Sequence, residues 1–281
     1  MTLEPSPPAT ETGRESRNLL MRIVAGAVLA PLTLVAAYVG GWLWDLLATV
    51  ATIGMFAEWL VVVRAYRRRS VAAGVVILAM TGIMLMAGLI GPAVLIVIAG
   101  LVGLVLRAHV NRGWAALGLL YAAAALIASI LVRADPHFGF LALVFVLLVV
   151  WVTDIGGYFA GRGIGGPKLW VRVSPKKTWA GAIGGFAGSL AVAAGFAATG
   201  AGRLGPLLAV AAVLSVVSQL GDLFESAVKR RFGVKDSSNI IPGHGGLLDR
   251  LDGFVAAIVM AAAIGVIRGG LDGVGRGLMI W

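Results

Sequence analysis

The residues best suited to chemistry are acidic side chains in the C-terminal half of the chain. Of 13 acidic residues, six lie there near the cytoplasmic ends of predicted spans six, eight and nine: Asp154, Asp222, Glu225, Asp236, Asp249 and Asp252. Asp222, Ser226 and Lys229 are spaced i, i+4 and i+7, so they share one face of a helix. Asp249 and Asp252, at i and i+3, do the same. Carboxylates that converge in a membrane repel one another unless a cation joins them, and oxygen ligands favour Mg²⁺ or another hard cation. The alternative is that nearby Lys or Arg neutralises each carboxylate.

Basic and glycine residues surround these carboxylates. The cations are Lys176, Lys177, Lys229, Arg230, Lys235 and Arg250. Carboxylates, a metal and a set of Lys and Arg are the groups that stabilise phosphoryl or nucleotidyl transfer. In the stretch PGHGGLLDRLDG, residues 242–253, Gly243, Gly245 and Gly246 would let backbone N–H groups approach a phosphate. Ser174 opens the stretch SPKKT before a predicted helix, whose N-terminus could face an anion. The alternative for the cations is ordinary attraction to lipid headgroups.

Two residues keep more than one interpretation. His244 could donate to a phosphate, act as a general acid or base, or serve a turn. Glu58 is an isolated carboxylate in a predicted membrane span, so it is either paired structurally or functional. The chain has no cysteine, which excludes disulfides, Cys-ligated zinc and thiol nucleophiles.

A membrane-embedded bundle must position these groups. The chain has 281 residues, 59% hydrophobic and only 13% charged, and its apolar runs are long enough to cross a hydrocarbon core of roughly 30 Å. We predict an all-α, polytopic membrane helical bundle of about nine transmembrane helices, at 19–39, 42–63, 71–90, 92–106, 113–132, 138–160, 179–199, 206–228 and 252–267. Spans three and four meet at Gly91-Pro92, as a tight hairpin or one broken helix. Residues 19–267 form a single transmembrane domain with its catalytic part at about 150–255. It lies between a disordered cytoplasmic tail, 1–18, and a short C-terminal tail, 268–281.

The distribution of basic residues predicts the orientation. With the N-terminus in the cytoplasm, nineteen of the 23 Lys and Arg residues fall in inner segments. The outer segments hold the other four: Arg133, Arg203, Arg268 and Arg276. This skew follows the positive-inside rule and accounts for the net charge of +10 without nucleic acid. It also predicts that the polar loops 161–178 and 229–250 are both cytoplasmic.

The stretch from Ser226 to Asp252 resembles the signature of phosphatidate cytidylyltransferases, also called CDP-diacylglycerol synthases. It contains Ser-Ala-Val-Lys-Arg, then Lys-Asp, then Ile-Pro-Gly-His-Gly-Gly-Leu-Leu-Asp-Arg-Leu-Asp. Asp154, Tyr158, Gly161-Arg162, Lys168-Leu169 and Ser174–Thr178 resemble a second block of the family. Members often have Glu after the SPKKTW stretch, where this chain has Ala180, so no role is assigned to that position.

The resemblance implies a reaction of CTP with phosphatidic acid that gives CDP-diacylglycerol and pyrophosphate at the inner (plasma) membrane of bacteria. It implies Mg²⁺ held by Asp222 and Asp249, alone or with a second cation. The catalytic residues would be Lys229, Arg230, His244 and Asp249. The substrate-binding residues would be Ser174, Lys176, Lys177, Ser226, Lys235, Gly245, Gly246 and Arg250. The partners would be CTP, phosphatidic acid and membrane lipid, without nucleic acid.

Other functions fit the sequence less well. An ion-coupled transporter would spread polar residues along several spans and show repeat symmetry, and a scaffold would not need so dense a polar loop. The CDP-alcohol phosphotransferases use a DG..AR pattern, which Asp252-Gly253 begins but does not complete. GxxxG spacings, such as Gly157/Gly161 and Gly181/Gly185, fit either packing within the monomer or a homodimer face.

Overall fold

Nine apolar helices form the body of the computed structural model, which describes residues 28–107, 111–238 and 245–281. They are α1 (Val28–Val39), α2 (Gly41–Val62), α3 (Arg68–Met86), α4 (Ile90–Arg107), α5 (Arg112–Ala134), α6 (Gly139–Gly163), α7 (Trp179–Ala198), α8 (Leu204–Arg231) and α9 (Leu248–Gly269). Seven of these are long and apolar enough to cross a membrane, whereas α1 and α4 are shorter apolar helices. The prediction of an all-α membrane bundle is confirmed, and each helix overlaps one predicted span. The first part of span one, 19–27, and the predicted tail 1–18 lie outside the described residues.

Spans three and four form a hairpin of two helices. Helix α3 ends at Met86, and Gly88 adopts a left-handed backbone with φ of 74°. The turn is closed by the N–H of Leu89, which donates to the carbonyl of Met84 at 2.8 Å. Pro92 follows in the first turn of α4, where its missing N–H has no partner in the helix to lose. The chain therefore turns just before Gly91-Pro92.

Large apolar side chains fill two parts of one core. Around α2 and α5 it contains the buried side chains of Phe56, Trp59 and Leu126. Around α6 and α8 it contains those of Phe145 and Leu214. Helix α5 contacts α2, α6 and α9, so it joins the two halves of the chain.

Glycines allow α6 and α7 to pack closely. A Cβ on Gly181 would lie 2.8 Å from the carbonyl oxygen of Gly157 and 3.3 Å from the Cα of Gly161. The GxxxG pairs 157/161 and 181/185 thus serve packing within one chain, as small residues do between membrane helices. This approach brings the C-terminal end of α6 beside the start of α7.

The segment 161–178, expected to be a loop, contains secondary structure. Helix α6 continues to Gly163, and β1 (Lys168–Trp170) pairs antiparallel with β2 (Ser174–Thr178). Thr178 then caps α7, because its hydroxyl accepts a hydrogen bond from the N–H of Gly181 at 3.1 Å. The hairpin runs directly into α7 and so holds Lys176 and Lys177 at the end of the bundle.

The C-terminal residues expected to be a tail fold against the bundle. A 3₁₀ turn, Leu271–Gly273, leads into α10 (Val274–Met279), and Val274, Leu278 and Met279 are buried. Asp135, between α5 and α6, accepts hydrogen bonds from the N–H groups of His137, Phe138 and Arg276. Burial alone would raise the pKa of Asp135, but these backbone donors outweigh it and hold the pKa below its ordinary value.

Candidate active site

A cavity of about 660 Å³ opens where the ends of α6, α8 and α9 meet the hairpin and the start of α7. Four carboxylates line it: Asp154, Asp222, Asp249 and Asp252. Five cationic side chains line it as well: Arg162, Lys168, Lys176, Lys177 and Arg250. Both blocks of the sequence that resemble the family therefore contribute to one cavity at one end of the bundle.

Asp222 occupies the α8 wall of this cavity. Lys177, on β2, forms an ion pair with its carboxylate, and the hydroxyl of Ser226 donates to its Oδ1 at 3.3 Å. The preceding residue, Gly221, lets α8 approach α9 closely, because a Cβ there would lie 2.8 Å from the carbonyl oxygen of Asp252. Asp222 is thus held between the hairpin and the start of α9, with its side chain 26% exposed.

Lys229 lies two turns beyond Asp222 on α8 and is almost fully buried. Its Nζ is 2.6 Å from Oδ1 of Asp249 and 3.0 Å from Oε2 of Glu225. Asp222, Ser226 and Lys229 lie on one face of α8, as their spacing predicted. Lys229 nevertheless pairs with Glu225 and Asp249, not with Asp222. Glu225, for which neutralisation by a nearby Lys or Arg was one of the alternatives, is the buried partner of this lysine.

Asp249 lies in the first turn of α9 and accepts several hydrogen bonds. Its Oδ2 accepts from the N–H of Gly246 at 2.8 Å and from the N–H and hydroxyl of Ser237 at 3.0 and 2.9 Å. Gly245 adopts a left-handed backbone with φ of 83°, and a Cβ there would lie 2.8 Å from Oδ2 of Asp249. The N–H of Gly246 therefore points at Asp249, not at open space where a phosphate would lie.

Glu58, whose role the sequence left open, contacts the same region from α2. It is 2% exposed and accepts hydrogen bonds from the hydroxyls of Ser237 and Ser238 and from the N–H groups of Leu247 and Leu248. Structural pairing is thus observed, with hydroxyl and backbone donors. In the sequence, a carboxylate within a predicted membrane span was the signal that Glu58 has a role. Its partners lie about 180 residues away, so residue spacing could not identify them.

Other polar groups line the cavity or support its walls. Asp154 is an exposed lining residue, and Gln219 lines the wall on α8. The hydroxyl of Tyr121 donates to the carbonyl of Asp252 at 3.1 Å, and the N–H of Gly253 donates to Oδ1 of Asp252. Sequence reasoning missed Gln219 and Tyr121, because single polar residues in apolar spans carry no motif.

The other predicted site residues take varied positions. Lys176 and Arg250 are exposed and line the cavity. Arg230 bridges two elements, since its guanidinium donates to the carbonyls of Val173 and Val234 at 3.4 Å. Ser174 pairs with Trp170 in the hairpin, and Lys235 is exposed. Among the described residues, the cavity lining leaves out Ser174, Ser226, Lys229, Arg230, Lys235, Gly245 and Gly246. His244 lies outside the described residues.

The donor set of the cavity fits a hard cation. Its four carboxylates supply only oxygen ligands, and Mg²⁺ is commonly held by one or two carboxylates together with water and substrate phosphates. In the described part of the chain, no group of three or more His, Cys, Asp or Glu is arranged as a ready-made metal site. Both carboxylates already have partners, but Asp222 is the more exposed, with its side chain 26% exposed against 10% for Asp249, and it accepts fewer hydrogen bonds. The residues therefore suit a site completed by substrate more than a closed protein cage.

The fold and this cavity define a polytopic membrane protein with carboxylates and cations gathered at one end. A model of the cytidylyltransferase family matches residues 20–267, so the chain belongs to that family of nucleotidyltransferases. It is 44% identical over 261 residues to the phosphatidate cytidylyltransferase of Brucella suis biovar 1 (strain 1330), covering 89% of this chain and 94% of the relative. The phosphatidate cytidylyltransferase of Bacillus subtilis (strain 168) is 44% identical over 126 residues, covering 44% of this chain and 47% of the relative. That of Haemophilus influenzae (strain ATCC 51907 / DSM 11121 / KW20 / Rd) is 43% identical over 130 residues, covering 44% of this chain and 45% of the relative. The resemblance found in the sequence is confirmed.

Proposed function

We propose that this protein transfers the cytidylyl group of CTP to phosphatidic acid and releases pyrophosphate. The observation that carries the proposal is the cavity of four carboxylates and five cationic side chains at the ends of membrane helices. Full-length similarity to a phosphatidate cytidylyltransferase supports the choice of substrates. A site at this depth suits the reaction, because the phosphate of a membrane lipid and a water-soluble nucleotide can meet there.

In the proposed reaction, an oxygen of the phosphatidate phosphate attacks the α-phosphorus of CTP. A new P–O–P bond forms, the bond from the α-phosphorus to the bridging oxygen of the β-phosphate breaks, and pyrophosphate leaves with that electron pair. No covalent enzyme intermediate is needed. Lys176, Lys177 and Arg250 line the cavity and would offset the charge of the two anionic substrates. Such fixed charges act most strongly where charge builds up in the transition state.

Mg²⁺ would be held by Asp222 and Asp249, with Asp154 and Asp252 as the nearest alternatives, and a second cation could join it. When bound, it would neutralise phosphate charge and polarise the reacting phosphorus. Lys229 would keep the carboxylate of Asp249 in place, given their 2.6 Å contact. Arg230 would position the hairpin through Val173. For Ser174, Ser226, Lys235, Gly245 and His244, we keep the roles that the family resemblance implies, whereas the N–H of Gly246 donates to Asp249 and is not assigned to a phosphate.

The orientation of the chain is part of the proposal. Nine spans with a cytoplasmic N-terminus would put the cavity on the cytoplasmic face of the bacterial inner membrane, where CTP is available. Lys168, Arg172 and Lys176, all on the hairpin beside the cavity, agree with a cytoplasmic position under the positive-inside rule. A homodimer is compatible with this arrangement and would leave the cavity within each monomer.

One assay tests the proposal directly. The purified protein in lipid nanodiscs is given phosphatidic acid and labelled CTP, with Mg²⁺ or with EDTA, and the lipid fraction is scored for a CDP-lipid. We expect product and pyrophosphate in equal amounts with Mg²⁺, and neither in EDTA. Labelled ATP in place of CTP is the matched control and should give no labelled lipid. Absence of a CDP-lipid would refute the function, and full turnover in EDTA would refute the metal.

A further inference from the structure

Glu58 lies in α2, in the N-terminal half of the chain, but the four donors that the described residues place within hydrogen-bond distance of it all belong to the segment that carries Asp249. Ser238 Oγ donates to Oε1 at 2.6 Å and Ser237 Oγ lies 3.0 Å from Oε2. The N–H groups of Leu247 and Leu248 donate to Oε1 and Oε2 at 3.0 and 2.7 Å. One carboxylate therefore joins two stretches, 237–238 and 247–248, to a helix far away in sequence.

The two backbone donors belong to the start of α9. Leu247 is the N-cap residue of this helix, and its side chain cannot provide a capping hydrogen bond. The first N–H groups of a helix have no partner within it and carry partial positive charge. Glu58 supplies both the missing acceptor and a negative charge, so it caps α9 from another helix. Burying a carboxylate is costly unless it is well hydrogen-bonded, and these four donors satisfy that requirement.

The contact extends from Glu58 to the proposed metal ligand. The hydroxyl of Ser237 lies between Oε2 of Glu58 and Oδ2 of Asp249, at 3.0 and 2.9 Å. Asp249 in turn contacts Lys229 at 2.6 Å. Gly246 passes so close that a Cβ on it would clash with both Ser237 Oγ and the Glu58 carboxylate. There is thus no room for the start of α9 to move against α2 while these contacts are made.

We propose that Glu58 is a positioning residue for the active site: it fixes the first turn of α9, and through Ser237 it fixes the carboxylate of Asp249. The expected effect on kcat rests on the proposed function. The expected effect on the structure of the first turn of α9 rests on the hydrogen bonds alone. Glu58 lines no part of the cavity among the described residues, so it acts through Asp249 and does not touch substrate.

The chemistry of the contact predicts an unusual order among variants. Glu58→Gln has nearly the same shape, but its side-chain amide replaces one oxygen by an NH₂ donor. Each oxygen of Glu58 accepts from one backbone N–H and lies within hydrogen-bond distance of one hydroxyl, so the NH₂ group must face a backbone N–H in either orientation. Glu58→Asp keeps both oxygens and is one methylene shorter. We therefore expect Asp to preserve more function than Gln, the reverse of what a role in filling space would give.

The test compares kinetics with hydrogen–deuterium exchange for the intact protein in nanodiscs. For Glu58→Gln we expect kcat to fall by about 10- to 100-fold, since a misplacement of about 1 Å can cost that much. KM for CTP should change far less. Exchange should speed up in peptides covering 245–251 and 233–238 and stay unchanged in α6. Asp45→Asn is the matched control, because it neutralises another carboxylate on α2, 13 residues or about 20 Å away. It should leave both readouts unaltered.

Three results would overturn the proposal. The first is a Glu58→Gln protein with normal kcat and normal exchange. The second is faster exchange across the whole bundle, which would make Glu58 a general stabiliser of the fold. The third is a Glu58→Asp protein that is less active than Glu58→Gln. If the unaltered protein makes no CDP-lipid, the proposed function fails, whereas the exchange experiment still decides the role of Glu58.

Discussion

Replacing Asp222 by Asn should abolish most activity and leave the fold intact. The substitution keeps the shape of the side chain and removes the negative charge from the more exposed of the two proposed metal ligands. Loss of one preorganised electrostatic element typically costs about 10²–10³ in rate, so we expect kcat to fall by that factor at saturating substrate. The fold should tolerate the change, because the Lys177–Asp222 pair is partly solvated, with side chains 29% and 26% exposed. Such a pair contributes about 1 kcal/mol or less.

The experiment measures kcat at several Mg²⁺ concentrations, with equal amounts of folded protein in the membrane. Arg231→Ala is the control, since it removes a charge from the same end of α8. Arg231 stacks over Trp114, with its guanidinium carbon 5.5 Å from the ring centroid, which contributes about 0.5–1 kcal/mol at an exposed site. Its activity should stay within about twofold of normal, because flanking charges mainly orient the chain. Near-normal activity of Asp222→Asn at saturating Mg²⁺ would refute the reasoning and move the metal to Asp154 or Asp252.

Three further predictions concern the frame around the site. Asp135→Asn should lower the melting temperature at pH 7, because the depressed pKa of Asp135 stabilises the fold above the unfolded pKa of about 3.9; the difference should shrink as pH falls through the folded pKa, which lies below that value, and a difference that does not shrink on acidification would contradict it. Gly181→Ala should destabilise the bundle by about 1–3 kcal/mol through overpacking against Gly157. Gly205→Ala, which has open space around it, should not destabilise the bundle. Thermal unfolding of both variants measures the difference. In intact cells, an impermeant thiol reagent should label Arg203→Cys and not Arg172→Cys, both exposed positions in a chain without cysteine; the opposite pattern would invert the proposed topology.

The helices were predictable because a membrane span needs a long apolar run, and such runs dominate this sequence. The hairpin of Lys168–Trp170 and Ser174–Thr178 was not, since its strands are three and five residues long and rich in lysine and proline. Without apolar alternation, a strand cannot be distinguished from a loop. The helix within the predicted tail, 268–281, was not predictable for a similar reason, because α10 is too short to show a helical period. Its buried side chains become informative only when α6 and α9 are in place.

The site was predictable as a set of residues but not as a set of contacts. Sequence motifs brought together Asp222, Lys177 and Asp249, which the structure finds in one cavity. Spacing on α8 placed Lys229 on the same helix face as Asp222, but it could not show that the ion pairs of Lys229 are with Glu225 and Asp249. Which partner a buried lysine selects depends on how α8 and α9 approach each other, and that is set by Gly221 and by packing far from the motif.

The two halves of the chain contribute to the candidate active site in different ways. Every described residue that lines the cavity comes from α6 onward, so the described helices of the N-terminal half contribute no lining side chain. Glu58 of α2 and Tyr121 of α5 nevertheless hydrogen-bond the backbone at the start of α9, at Leu248 and at Asp252. Because a carboxylate ligand must be held to a fraction of an ångström, the first turn of α9 needs support from a packed body. The N-terminal helices provide that support, so substitutions at Glu58 or Tyr121 should alter kcat even though neither side chain lines the cavity.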